Sequence, residues 1–127
     1  MKNQPWIYAL LALLVVSCQH QPIIYTDPTA TVTKVKGGDI YHNNDTIHMK
    51  VNMHDDDMLK DVYLYLRCDT DTFFGYAHAD IAQHQFDLDT FWVLTGMVTG
   101  IDAFVTAGCN NKHGGEIVRN VPIFLVP

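Results

Sequence analysis

Serine is nearly absent: Ser17 is the only one in 127 residues. Downstream of it no Ser-His-Asp site is available. Glutamate is as scarce, with Glu116 alone against thirteen aspartates, so the paired glutamates of many glycosidases are missing too. Lysine and arginine together number 8 against 14 acids, giving a formal net charge of -6. Such a surface does not seek phosphate backbones, which excludes nucleic acid as a partner. His and Asp are present, but no nucleophile or phosphate-cradling loop accompanies them. What remains is 48% apolar and 17% charged, the composition of one globular domain. These absences favour a binding module over an enzyme.

The chain opens on an address. Lys2 and the amino terminus supply positive charge, Ile7 to Val16 is an unbroken apolar run, and Val15-Val16-Ser17-Cys18 closes it with small residues. That is the layout of a secretory signal. A ten-residue run rises about 15 Å as a helix, half the hydrocarbon thickness of a bilayer, so it is too short for a stable transmembrane anchor. The Val-Val-Ser-Cys ending resembles the lipobox of bacterial lipoproteins, in which cleavage precedes the Cys and its thiol is lipidated. Residues 1–17 are then a signal peptide and Cys18 is the lipidated first residue of the mature chain. An ordinary secretory signal with a Cys near its end is the alternative. Several acyl chains hold a protein far more firmly than one, since each buried CH2 adds about 0.8 kcal/mol. The expectation is a lipid-anchored protein of the bacterial envelope, on the outer membrane, at its periplasmic or surface face. Losing Lys2 and no acid shifts the mature formal charge from -6 to -7.

Residues 18–29 carry the lipidated Cys and a polar tether interrupted by Pro22 and Pro28. From Ala30 to Pro127 the pattern is all-β, because period-two alternation recurs between turn clusters and no long helical periodicity competes. Ile47, Met49, Val51 and Met53 share one face, and His48, Lys50, Asn52 and His54 the other. Val62, Leu64, Leu66 and Cys68 alternate with Tyr63, Tyr65 and Arg67. Phe86, Leu88 and Trp92, then Ala103, Val105, Ala107 and Cys109, then Val121, Ile123 and Leu125, repeat the theme. Phe73 to Ala82 is the least regular strand, and Pro122 predicts an edge for the last one. Turns are expected at Gly37-Gly38-Asp39, His42 to Asp45, Asp55-Asp56-Asp57 and Asn110 to Gly115, which also explains the aspartate excess. About seven half-buried strands in about 100 residues imply a two-sheet, immunoglobulin-like sandwich over residues 30–127, with a small closed barrel as the alternative.

The order of lipobox, Pro-containing tether, Ile47 to His54, Asp-Asp-Asp-Met-Leu-Lys-Asp-Val at 55–62, a His-containing middle, Phe86-Asp-Leu-Asp and a final hairpin resembles small lipid-anchored immunoglobulin-like proteins of Bacteroidota. The resemblance covers most of the mature chain and implies the fold and the anchor. It implies no ligand, since members of that group are largely of uncharacterised function. The final hairpin departs from the group: where Asp followed by Gly-Asn is common, this chain has Gly108-Cys109-Asn110-Asn111.

Two kinds of site follow from the expected topology. The turns after the second, fourth and sixth strands share one end, which gathers His54, Asp55, Asp56 and Asp57, then His84, then Cys109, Asn110, Asn111 and His113. Imidazole, carboxylate and thiolate at one rim suit Zn or Cu, and the carboxylates alone suit Ca. The metal candidates are His54, Asp55, Asp57, His84, Cys109 and His113. The alternative is that the aspartates cap the turn and the histidines are solvated. His48 lies about 20 Å from His54 along its strand and cannot join them. Met49 and Met53 fall on the inward face, so packing rather than copper explains them. His78 and Asp80, two apart beside Tyr76, read as a polar stripe on an edge strand.

The second candidate is the outward face of the third, sixth and seventh strands, where Tyr63, Tyr65, Phe104 and Phe124 point away from the core beside Arg67. An aromatic face of this kind serves a partner protein or a glycan, or else stabilises the sheet through cross-strand pairs. Cys68 and Cys109 end neighbouring antiparallel strands, hence at opposite ends of the domain. That arrangement precludes a disulfide, which requires Cα atoms within about 7 Å. The expected activity is therefore non-catalytic: an envelope lipoprotein that binds another envelope protein or a glycan, with a metal-binding envelope domain as the alternative.

Overall fold

The computed structural model describes residues 22–127. The expected signal peptide at 1–17, the expected lipidation site Cys18 and residues 19–21 lie outside the described residues. Seven strands make up the described chain: β1 (Thr29–Thr33), β2 (Ile40–His42), β3 (Thr46–Arg67), β4 (Thr72–His78), β5 (Gln83–Val93), β6 (Ile101–Asn111) and β7 (Glu116–Val126). The fold is all-β, as the alternation predicts. The strands form one continuous curled sheet in the order β1-β3-β6-β7-β2, with β4 and β5 also paired to β3.

The sheet depends on β3, a strand of 22 residues. Its first half pairs with β1 and with β5, and its second half with β4 and with β6. One strand thus has four neighbours, two at each half. The sequence predicts a reversal at Asp55-Asp56-Asp57, and the chain instead bulges and continues. Its pairing with β5 shifts between His54 and Leu59, and that with β6 between Leu59 and Asp61. Met58 takes a left-handed φ of 74°, a conformation that a non-glycine residue adopts rarely.

The bulge changes which side chains face inward. Ile47, Met49, Val51, Met53 and Leu59 are buried at odd positions, and Val62, Leu64 and Leu66 at even ones. A one-residue slip exchanges the two faces of a strand, so the extra residue keeps apolar side chains inward on both halves. Increased twist at a bulge also curls the sheet. The curl brings unpaired strands together: Phe74 of β4 lies 6.4 Å from Trp92 of β5, Tyr76 lies 5.9 Å from Phe86, and Arg119 of β7 donates to the Ala30 carbonyl of β1 at 3.4 Å. One core results, in which Ala103, Val105, Ala107, Cys109, Ile123 and Leu125 pack with the buried residues of β3.

Three expectations need correction. β2 falls between two turn clusters that hide its three residues from the alternation pattern, and it pairs in parallel with Phe124–Val126 of β7. For that reason β7 is not an edge. Pro122, which has no N–H to give, sits before this pairing begins, and its carbonyl accepts from Gly38 N at 2.8 Å. Finally, Tyr76 does not join a solvent-facing stripe with His78 and Asp80: it pairs across from buried Leu64 and turns toward Phe86, while Asp80 lies beyond the strand.

Burial sets a test of this core. Leu64, which is 1% exposed, is expected to cost about 2–5 kcal/mol when changed to Ala. Phe91, which is 60% exposed, is expected to cost no more than about 0.5 kcal/mol. Urea unfolding of the two variants measures both.

Candidate functional site

At the bulge end, the fold brings the expected residues into one neighbourhood but not into one coordination sphere. Parity places Asp55 inward, after Met53, and it is 2% exposed. A buried carboxylate needs hydrogen-bond donors, and two are present. Asp57 N donates to Asp55 Oδ1 at 2.5 Å, and Asn111 Nδ2 donates to Asp55 Oδ2 at 3.0 Å. Asn111, itself buried, also donates to the Thr26 carbonyl at 3.1 Å, and its Oδ1 accepts from the backbone N–H groups of His113 and Gly115. It therefore joins the bulge of β3, the β6–β7 hairpin and the tether.

The remaining metal candidates are engaged elsewhere. His84 Nδ1 donates to the Asp55 backbone carbonyl at 2.9 Å. His54 faces outward, 3.8 Å from Asp56, and His113 stacks on Tyr25 with ring centroids 3.8 Å apart. Cys109 is fully buried, its thiol directed at the Thr29 carbonyl at 3.9 Å. Among the described residues no three His, Cys, Asp or Glu side chains are grouped to hold a metal ion. His54, Asp55, Asp57, His84, Cys109 and His113 share an end of the domain as the topology implies, but an asparagine and backbone groups take up the carboxylate that would centre a metal site. The sequence places Asn111 at this rim, and what it does not assign is the role of donor to Asp55. The signal was available: continuing the odd parity of Ile47 to Met53 by one step puts Asp55 in the core, where it requires a donor.

The second candidate is assembled on one face. Across β3, β6 and β7, Tyr63 is level with Gly108 and Val118, Tyr65 with Thr106 and Asn120, and Arg67 with Phe104 and Pro122. Phe124 follows, level with Asp102 on one side and Ile40 on the other. The face carries two groups rather than one stripe. Tyr63 and Tyr65 stack with centroids 5.5 Å apart. Phe104, Phe124, Pro122 and Ile40 lie beyond Arg67, with Ile40 and Phe124 exposed.

Glycine decides how the tyrosines lie. A Cβ at Gly108 would fall 2.2 Å from the Tyr63 hydroxyl, and one at Gly75 would fall 3.2 Å from the Tyr65 ring. The rings therefore lean over neighbouring strands, Tyr63 over β6 and Tyr65 over β4, and lie along the sheet. Glycine inside a strand marks such a close approach. Burial beneath this face, with Glu116 as a second cause, pushes the Tyr63 phenol above its ordinary range, so it remains a hydrogen-bond donor. Polar groups line the tyrosines: Arg67 Nε donates to Thr106 Oγ1 at 3.3 Å, and Thr106 Oγ1 donates to Asn120 Oδ1 at 2.7 Å. At the lower end a cleft of about 260 Å³ is bordered by Arg67, Cys68, Asp69, Phe104 and Asn120.

The two described cysteines are free, as the antiparallel ladder requires. Val62 is level with Cys109 and Arg67 with Phe104, so Cys68 and Cys109 are more than five residues apart along the strands, or about 17–20 Å. Comparison with protein-family models and with curated proteins finds no match to this chain.

The environments of the two thiols predict opposite chemistry. Burial, with the Asp55 charge as a second cause, pushes Cys109 up to about 11. A hydrogen bond from Thr70 lowers Cys68, which is half-exposed. At pH 8 iodoacetamide is expected to label Cys68 and to spare Cys109 until the protein is unfolded, as peptide mass spectrometry will read. Because the folded Cys109 value lies above the unfolded one, its share of stability is intact below about pH 9 and is lost as pH rises toward 11.

Proposed function

We propose that the protein is a non-catalytic envelope lipoprotein, anchored through Cys18, whose domain presents the Tyr63–Tyr65 face to a glycan. In this reading the curled sheet is an immunoglobulin-like sandwich. β1, the first half of β3 and β5 form one layer, and β4, the second half of β3, β6, β7 and β2 form the other. The observation that carries the glycan reading is the pair of half-buried tyrosine rings lying along the outer face of the sheet, with Gly108 and Gly75 leaving room beneath them. Flat π faces receive the C–H faces of a pyranose ring, while hydroxyls need donors and acceptors in nearly the same plane. Arg67, Asn120 and the Tyr63 hydroxyl stand beside the rings to serve them. An envelope protein is the other partner that such a face fits.

Two experiments test the reading. Cys18→Ala is expected to abolish incorporation of an alkyne-tagged fatty acid and to release the protein from membranes. Unchanged incorporation would remove the lipoprotein assignment. Purified full-length protein in detergent is expected to be retained on isolated envelope polysaccharide. Tyr65→Ala and Arg67→Ala would each weaken retention about tenfold, the scale of an interface hot spot. Retention unaffected by either change, or a partner protein captured in place of polysaccharide and lost with the same variants, would overturn the glycan assignment.

A further inference from the structure

β5 is an edge strand of 11 residues that pairs with β3 and with no other strand. In an antiparallel ladder every second residue turns its N–H and C=O away from the partner, so one side of β5 presents a row of unpaired backbone groups. Residues 72–78, the strand just before it in the chain, pair with the second half of β3 and not with β5. That leaves two free edges, β4 and β5, side by side, with Phe74–Trp92 and Tyr76–Phe86 between them. Phe86, Leu88 and Trp92 pack against the core yet remain only partly buried. Among the described residues no strand covers the outer edge of β5.

We infer that β5 is a docking strand for an extended segment of a partner protein in which apolar and basic residues alternate. Each feature of the edge selects one property of that segment. Unpaired backbone groups require an extended main chain, which joins the sheet as one more strand. Alternate side chains of the added strand fall on the core side, against Phe86, Leu88 and Trp92, and these are apolar. The others fall on the outer side, opposite Asp87 and Asp89. Asp89 is paired with Lys34 at 3.0 Å, whereas Asp87 accepts hydrogen bonds from Asn52 and Gln85 and has no ion pair among the described residues. Asp87 is therefore the position that a partner's Lys or Arg completes. A second copy of this chain does not fit, since pairing the full length of β5 with its copy sets Asp87 opposite Asp89 twice, and like charges directly opposite are destabilising. This surface is distinct from the tyrosine face and stands or falls independently of it.

The test uses the full chain in detergent micelles and a peptide of alternating Lys and Val as long as β5. Hydrogen–deuterium exchange is expected to slow about tenfold at amides of residues 83–93 and nowhere else. Asp87→Lys, a surface change, is expected to weaken the peptide about twofold to fivefold, the weight of one cross-strand charge pair. A peptide N-methylated at alternate amides keeps the side chains but cannot join the ladder, and is expected not to protect β5. A peptide with the same residues in blocks is likewise expected to fail. Protection outside residues 83–93, equal protection by the N-methylated or block peptide, or β5 already protected by self-association in sedimentation would each overturn the inference.

Discussion

The hydrogen bond from Asn111 to the buried carboxylate of Asp55, 3.0 Å long, fixes the point about which the rest of the sheet is arranged. A carboxylate in an apolar core is tolerated only with its lone pairs satisfied, and here Asn111 and the Asp57 N–H supply the donors. The same asparagine holds the turn of the β6–β7 hairpin through His113 N and Gly115 N and grips the tether at Thr26. The bulge of β3, the hairpin and the segment ahead of β1 are thereby held by one side chain.

Everything on the outer faces follows from that bulge. If β3 ran straight through residues 55–61, its inward positions would remain odd, and Val62, Leu64 and Leu66 would face solvent while Tyr63 and Tyr65 entered the core. The extra residue reverses this. It keeps one core on both halves of a single strand and turns the tyrosines outward over Gly108 and Gly75. It also curls the sheet until β4 stands against β5, which closes one side of the core with aromatic pairs and leaves both strands as free edges.

Much of this was legible in the sequence, because period-two alternation is a local signal. The inward sets of β3, β5, β6 and β7 fall where the apolar residues alternate, and the antiparallel relation of the second half of β3 to β6 correctly separates Cys68 from Cys109. Three features were not legible. Asp55-Asp56-Asp57 has turn composition, and whether such a segment reverses or bulges depends on the donors that meet it, which Asn111 supplies from 56 positions away. β2 has three residues, too few to show a period. The segment 72–78 carries apolar residues suited to either sheet, and its choice of β3 over β5 is a matter of tertiary packing. At the sites, type and position were readable while contact was not. The rim histidines do share one end, yet His84 bonds a backbone carbonyl and His113 stacks on Tyr25. The tyrosine face is present, but its flatness depends on two glycines that composition alone does not connect with it.

The central claim is that the Asp55–Asn111 contact holds the bulge on which both halves of the sheet depend. A double-mutant cycle tests it most directly, using urea unfolding of Asp55→Ala, Asn111→Ala and the double variant. A hydrogen bond to a buried carboxylate predicts a coupling energy of about 1–3 kcal/mol, with each single variant losing nearly as much stability as the pair. Additive losses, with coupling below about 0.5 kcal/mol, would contradict the account.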